Sequence, residues 1–452
     1  MRRVLATAVL LAFMPTANAQ DKGKADFTHN AEFRVRDTYE DGMTGIKAAA
    51  DGVGKPSHHN GIEQRFKLGL GFKANEKFSM TATLLQASQW GQGATNTTGN
   101  FGNTSNETPV NPNTRDEENF MSVNEAYATW MMSEDFNAKF GRMNFGFGDG
   151  TVMSVNDWQQ QPMSYEGMNL NFEAEFGRFH GIAFKLKDLY AASASTSTNS
   201  DPQHDLYGLI FDLKTMPEWL KSVNAFALQT VMDPTAAAAG GNMMMYGVGA
   251  GFMFAMIDLH ADYVMETGKT VSTFPSTKTD LEANMMQLEV GFNLPAVMGS
   301  RFFFNYHQDS GTKAGGTKDK TYKSPYSEAH NDTGMMDILN WGNLTAMSLG
   351  WTLKPMDNSS AGIAYHMFSK TVKEDTTVNA GKYGKLLTAG GPTAAEAALG
   401  SEIDLWAEHN YGGGFSMTAR LGQFMPGNAF KSAAAERKDS ITQAMLEGKF
   451  SF

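Results

Sequence analysis

The last residues of the chain alternate in character and end on an aromatic side chain. Ala444, Leu446, Gly448, Phe450 and Phe452 share one parity, and mostly polar residues lie between them. A period of two residues is that of a β-strand with one apolar face. Chain ends normally fray, whereas the last strand of a closed barrel must pair with the first. The pattern therefore favours a β-barrel whose final strand closes the sheet.

Segments with the same period recur along the chain. In each of them apolar side chains occupy one parity, while polar or small side chains occupy the other, as in a half-buried strand. Their length of about 10 residues is what a tilted strand needs to cross a bilayer. Clear examples are residues 62–72, 78–84, 168–174, 246–254 and 257–263.

The connections between these segments are alternately short and long. Short links fall at 74–77, 133–135, 214–219 and 412–414, and long polar links at 91–119, 193–204, 309–343 and 370–400. This rhythm is typical of a membrane barrel with tight turns on one side and long loops on the other. We predict an all-β fold, an antiparallel transmembrane β-barrel of about 18 strands. Its turns are short and periplasmic, its long loops are extracellular, and both termini lie on the periplasmic side.

Residues 1–19 have the features of a secretory signal peptide. Arg2 and Arg3 precede an apolar run, and Ala17-Asn18-Ala19 supplies the small residues of a cleavage site. Residues 20–452 are then expected to form a single barrel domain. The predicted location is the outer membrane of a Gram-negative cell.

Composition excludes several classes of protein. A mean hydropathy of -0.35 excludes a bundle of membrane helices, and a formal net charge of -11 argues against a nucleic-acid binder. The absence of cysteine excludes disulfides and thiolate metal sites. No motif indicates a catalytic residue, a metal site or a cofactor, so we expect a channel and not an enzyme. A surface adhesin or receptor and a barrel-embedded hydrolase remain alternative interpretations.

If the apolar parity faces lipid, the other parity faces the lumen, where charged side chains govern ion preference. The first two strands place four bases side by side, which we call the basic ladder: Arg34, Arg36, Arg65 and Lys67. The ladder is either a track for anionic solutes or a set of ion pairs, with Glu32, Glu63 or acids elsewhere, that holds inserted loops. The other predicted pore-lining residues are Arg142, Glu402, Asp404, Glu408 and Lys185.

Two further features concern the lumen. Simple alternation places Arg142 toward lipid, unless Gly141 permits a bulge that turns it inward or the strand ends there. Residues 144–161, with Asp157 and Trp158, are the candidate for a loop that constricts the channel. The glycines at 247, 249 and 251 make a flat strip of inner wall, which either receives such a loop or widens the channel.

Short motifs spread over most of the mature chain resemble one family of barrels. They are Glu32-Phe33-Arg34-Val35-Arg36, Gln64-Arg65-Phe66-Lys67-Leu68-Gly69, Gly141-Arg142-Met143-Asn144-Phe145-Gly146, Tyr165-Glu166-Gly167-Met168 and Gly400-Ser401-Glu402-Ile403-Asp404-Leu405. They are similar to the alginate-export family of outer-membrane porins. The resemblance implies an 18-stranded outer-membrane channel and favours an inward Arg142, but does not by itself imply alginate.

The expected partners follow from this architecture. They are outer-membrane lipid, small hydrophilic solutes or anionic saccharides that diffuse through the channel, and the barrel-insertion machinery, which would read Phe452. No nucleic-acid partner is expected.

Overall fold

The structure is a computed structural model. It describes residues 26–42, 59–90, 120–188, 203–232, 240–271, 278–323, 325–328, 330, 332–380, 392–431 and 439–452. The predicted signal peptide 1–19 and the predicted long link 91–119 lie outside the described residues, as do most of the link 193–204 and part of the link 370–400. No helix among the described residues is long and apolar enough to cross a membrane.

The described chain is built almost entirely of β-strands. They are β1 Asp26–Asp41, β2 His59–Lys73, β3 Phe78–Gln89, β4 Phe120–Met131, β5 Phe136–Met143, β6 Tyr165–Glu173, β7 Gly177–Asp188, β8 Gln203–Leu213, β9 Leu220–Met232, β10 Gly240–Phe254, β11 Ile257–Val271, β12 Lys278–Leu294, β13 Ser300–Asp309, β14 Lys318–Asp319, β15 Leu339–Asn340, β16 Leu344–Met356, β17 Ser359–Lys370, β18 Asn379–Ala380, β19 Ala398–Gly412, β20 Phe415–Pro426 and β21 Ile441–Ser451. One helical turn, α1, spans Asn428–Lys431.

Eighteen of these strands form one closed antiparallel barrel, because β14, β15 and β18 are two-residue pairings within loops. Each barrel strand pairs with its neighbour in sequence, and β1 also pairs with β21 to close the sheet. The last residue takes part in the closure: the Phe452 amide donates to Ala31, and the Ala31 amide donates to Phe452. The predicted fold class and strand number are confirmed.

The outer wall carries the apolar parity of the strands. On neighbouring strands β6, β7 and β8, Phe172, Phe179 and Phe211 form a patch with Phe176 of the adjacent turn. Trp219 stacks on Phe252 near another short turn. Such aromatic groups at the strand ends resemble the girdles of membrane barrels.

The inside of the barrel is more filled than the sequence suggested. We expected an aqueous channel with one constricting loop, yet a cluster of buried apolar residues lies inside the wall. Two connections supply much of it: segment A, residues 144–164 between β5 and β6, and segment B, residues 310–343 between β13 and β16. Met153 of segment A and Trp341 of segment B are fully buried. The barrel is wide enough to admit loops, and apolar side chains on them gain by packing against inward-facing residues of the wall.

Candidate functional site

The three arginines of the basic ladder lie inside the barrel against segment A. Arg34 and Arg65 each donate hydrogen bonds to the backbone carbonyls of Asp157 and Gln159, at 2.9–3.0 Å. Arg36 donates to the carbonyl of Trp158 at 3.1 Å. All three side chains are buried. The arginines of the ladder therefore bind the backbone of segment A through hydrogen bonds.

Carboxylates complete the environment of the ladder. Arg36 pairs with Glu447 at 2.8 Å, Arg65 pairs with Glu32 and Asp157, and Lys67 also pairs with Asp157. Buried guanidinium groups need such partners, because transfer of a lone charge from water is costly. Most of the positive charge on this wall is therefore compensated by the protein itself.

Asp157 responds electrostatically to this position. Partial burial opposes its ionisation, but the positive charges of Arg65 and Lys67 outweigh that effect and lower the pKa of Asp157 to about 2. The carboxylate thus stays ionised far into the acid range. It holds segment A to β2 through charge as well as through hydrogen bonds.

Trp158 joins segment A to segment B inside the barrel, next to strands β1 and β20. Its indole stacks on His330 with ring centroids 3.8 Å apart, and its Nε1 donates to Asp337 Oδ2 at 2.6 Å. The Arg36 and Arg420 guanidinium groups lie 4.0 and 4.9 Å from the ring centroid. A cation near an aromatic face is attracted by the ring quadrupole. Trp158 is therefore where both segments and two strands of the wall meet.

Beyond Trp158 the lumen opens into a cavity of about 560 Å³, which we call the chamber. This volume is in the range of small-molecule sites, roughly 300–1,000 Å³. Segments A and B line it together with strands β11 to β13, β16, β17, β19 and β20. The lining residues that matter below are Asp149, His260, Gln287, Arg301, Asn305, Asp332, His366, Asp404 and Arg420.

Arg420 and Arg301 are the two arginines of the chamber, and their surroundings differ. Arg301 is paired with Asp258 and Glu289 at 2.5 Å. Arg420 has no carboxylate within salt-bridge distance among the described residues; its guanidinium contacts the sulfur of Met445 at 3.8 Å and the Trp158 ring. It is half-buried, so a solute in the chamber can approach it.

The chamber also presents hydrogen-bond acceptors that lack donors. Asp332 Oδ1 receives the side-chain amides of Gln287 at 3.1 Å and Asn305 at 2.6 Å. The carbonyl oxygens of both amides are buried and have no partner among the described residues. Burial raises the pKa of Asp332 to about 6. Buried polar atoms are normally satisfied, so these oxygens need a donor from a solute or from water.

Glu402 and Asp404 face inward, as their position in the strand suggested, and both are buried. They accept hydrogen bonds from the backbone amides of Met336 and Met335, at 2.9 and 3.0 Å. Their contacts are therefore with segment B. Glu408 shares their parity but lies closer to the short turn after β19 and is exposed.

The prediction that Arg142 turns inward is wrong. The strand pairing around Gly141 is continuous, so Arg142 keeps the outward parity and pairs with Glu166 at 2.7 Å. Gly141 has a φ of +126°, and a Cβ there would lie 2.2 Å from the Ala126 carbonyl oxygen. The glycine thus permits close strand approach without a bulge. Lys185 is outward as well and pairs with Asp205 at 3.2 Å.

The glycine strip of β10 lies on the inner wall close to segment A. Side chains of the neighbouring strands fill the space beside it: a Cβ on Gly249 would meet Asn224 and Asp262, and one on Gly247 would meet Phe226. Phe226 packs on Phe147 of segment A, with ring centroids 5.1 Å apart. Segment A thus packs on side chains that lean over the strip.

A family model described as alginate export matches residues 47–443. The chain belongs to this family. The match covers most of the chain, but it begins after β1, so the resemblance seen in Glu32-Phe33-Arg34-Val35-Arg36 lies outside it. No curated protein matches the sequence.

Solved structures share the barrel at low sequence identity. OccK9 (OpdG) of Pseudomonas aeruginosa has a TM-score of 0.59 at 12% identity, covering 94% of this chain and 98% of that one. OpdK of the same organism, solved with vanillate, has a TM-score of 0.58 at 10% identity, covering 94% and 98%. The outer membrane protein OprD of P. aeruginosa has a TM-score of 0.57 at 11% identity, covering 96% of each chain. The chain is thus a porin-like barrel of a channel family.

Sequence reasoning missed Arg420, Trp158's partners and the whole of segment B. Segment B was visible only as a long polar link, although Met335, Met336, Ile338, Leu339 and Trp341 form an apolar group within it. Such a group in an otherwise polar loop indicates burial, and it could have identified the segment as an inserted one. Arg420 carries no comparable signal, since its importance depends on the absence of a partner in space.

Proposed function

We propose that this chain is an outer-membrane channel for small hydrophilic solutes and that hydroxylated anions are its preferred class. Residues 1–19 would export it, and Phe452 would present it to the barrel-insertion machinery. In the membrane it would act by passive or facilitated diffusion, without a cofactor and without catalysis. The closed barrel with an apolar outer wall supports the location.

The chamber carries the proposal on solute class. Arg420 offers a guanidinium without a carboxylate partner among the described residues, and carboxylates are the groups that guanidinium binds best. The buried amide oxygens of Gln287 and Asn305 lack donors, and hydroxyl groups of a solute would supply them. A hydroxylated carboxylate therefore satisfies both sets of groups. Anionic saccharides are members of this class.

The basic ladder has a different role in this proposal. Because Arg34, Arg36 and Arg65 are buried and paired, they position segment A and do not contact the solute. Segment A and segment B then define the opening beside Trp158 through which a solute reaches the chamber.

The test is a planar-bilayer measurement on the refolded mature protein. Gluconate, a hydroxylated carboxylate, should interrupt the chloride current at lower concentration than glucose or glucosamine. Arg420→Gln should weaken this block by about tenfold, since a hydrogen bond between charged groups contributes about 1.5–3 kcal/mol. Arg178→Gln, which changes an arginine paired with Glu173 at the wall, is the matched control and should leave the block unchanged. Equal block in wild type and Arg420→Gln would contradict the proposal.

A further inference from the structure

Three side chains with metal-binding atoms meet where segment A touches the wall. Asp149 lies on segment A, and His260 and Asp262 face inward from β11. His260 Nε2 is 3.1 Å from Asp149 Oδ2 and 2.6 Å from Asp262 Oδ2. One ligand atom from each of the three residues lies within 4.8 Å of the other two.

Hydrogen bonding alone does not account well for this arrangement. A histidine Nε2 carries at most one hydrogen, which can point fully at only one of the two carboxylates. A metal ion at the centre would instead accept a lone pair from the nitrogen and from both oxygens. Ligand atoms about 2.0–2.2 Å from a tetrahedral zinc ion lie roughly 3.3–3.6 Å from each other. The separations of 3.1 and 2.6 Å are shorter by up to about 1 Å, so the side chains would move apart slightly to admit the ion.

We propose that Asp149, His260 and Asp262 bind a divalent transition-metal ion, of which Zn²⁺ is the best probe. One imidazole and two carboxylates suit zinc or manganese better than the all-oxygen sites of calcium and magnesium. The ion would connect segment A to β11 on the side of the lumen opposite the basic ladder. Segment A would then be bound to the wall at two places, to β11 through Asp149 and to β1 and β2 through residues 157–159.

A neighbouring side chain supports the site independently. Gln287 on β12 is directly opposite Asp262 in the strand pairing and is 8% exposed. Its Oε1 is buried and has no partner among the described residues. An amide oxygen is a common ligand for divalent ions, either directly or through a bound water. The residue also lines the chamber with Asp149 and His260, so water can complete the coordination and an ion can enter from the chamber.

The site differs from anything the sequence suggested. No metal site was predicted, because Asp149 and His260 are far apart in the chain and only the insertion of segment A brings them together. The inference does not depend on the proposed solute class, since none of the three ligands is needed to bind a carboxylate. The two proposals share only Gln287, whose Oε1 would receive either a solute hydroxyl or the ion, so zinc binding and gluconate block are measured separately.

Equilibrium dialysis tests the assignment on refolded full-length mature protein without an affinity tag. Wild type should bind one Zn²⁺ per barrel, and Mn²⁺ more weakly in the same place. Asp149→Asn and His260→Gln should each weaken zinc binding by at least the roughly 10–100-fold that changes around metal sites cause. His180→Gln, a lumenal histidine on β7 outside the cluster, should bind zinc like wild type.

The controls make each outcome decisive. Asp149 lies on a loop, so Asp149→Asn should leave the barrel folded, which heat-modifiable migration on a gel will show. No stoichiometric zinc in wild type would overturn the proposal. So would zinc bound equally by wild type, Asp149→Asn and His260→Gln, or binding of Ca²⁺ in preference to Zn²⁺.

Discussion

The arginines of the basic ladder and Arg420, which lies on a strand two positions away around the wall, differ in their partners. On β1 and β2, Arg34, Arg36 and Arg65 are buried, paired with carboxylates and hydrogen-bonded to the backbone of segment A. On β20, Arg420 lies at the chamber with no carboxylate partner in the part of the chain that the structure describes. The contrast shows that a charged side chain that faces the lumen does not thereby contact a solute. What matters is whether a carboxylate of the protein is already paired with it.

The largest effect should come from removing an arginine of the basic ladder, which the protein's own carboxylates neutralise. Arg65→Met removes a fully buried charge and leaves Glu32 with Lys449 and Asp157 with Lys67 as their remaining ion-pair partners. Loss of one member of a buried ion pair costs about 4 kcal/mol, so the free energy of unfolding should fall by that order. Segment A should also loosen, and single-channel conductance should rise. Urea unfolding and bilayer recording measure the two effects; an unchanged conductance would show that segment A is held elsewhere.

Trp158→Ala should come next, because it removes the stacking and hydrogen bond that Trp158 makes with segment B, while the bridge between Met153 and Tyr326 remains. Truncation of a large aromatic side chain costs about 3 kcal/mol. The variant should retain gluconate block, since Arg420 remains, while its open-channel current should become larger and noisier. Phe172→Ala, which removes an aromatic ring from the outer wall, is the control and should leave the current unchanged.

Acid should release the same segment without any mutation. The pKa of Asp157 is lowered to about 2 from an ordinary value of 3.8. For a carboxyl group with a lowered pKa, the stabilisation is complete above the ordinary value and is lost as the pH falls toward the lowered one. Conductance should therefore stay constant from neutral pH down to the ordinary value and rise below it. Asp157→Asn should remove this step, and a midpoint at or above the ordinary value would contradict the pairing with Arg65 and Lys67.

The barrel could be predicted from the sequence because its signals are local. These signals are the period of two residues, the alternation of short and long links, and the alternating pattern that ends on the aromatic residue Phe452. The state of the basic ladder is not local. Arg65 reaches Asp157, on a loop inserted from another part of the barrel, and only that contact decides between an anion track and a tether. The prediction for Arg142 was wrong for a related reason. Gly141 is compatible both with a bulge and with close strand approach, and the sequence alone does not distinguish the two.

The smallest effect should come from the outer wall. Arg142→Ala removes a partly exposed pair with Glu166, and such pairs contribute about 0–1 kcal/mol. Conductance, selectivity and gluconate block should all match wild type. A change in selectivity would mean that Arg142 reaches the lumen, which would reverse the facing of β5.

The central claim is that Arg420, and not the basic ladder, is the positive charge that a permeating anion meets. The reversal potential in a salt gradient tests it most directly, with Arg420→Gln compared to Lys67→Gln, which neutralises a ladder residue paired with Asp157. Both variants lose one positive charge inside the barrel, so net charge alone predicts equal shifts. We predict that Arg420→Gln moves the reversal potential clearly toward cation preference while Lys67→Gln moves it little. A larger shift in Lys67→Gln, or no shift in Arg420→Gln, would contradict the account.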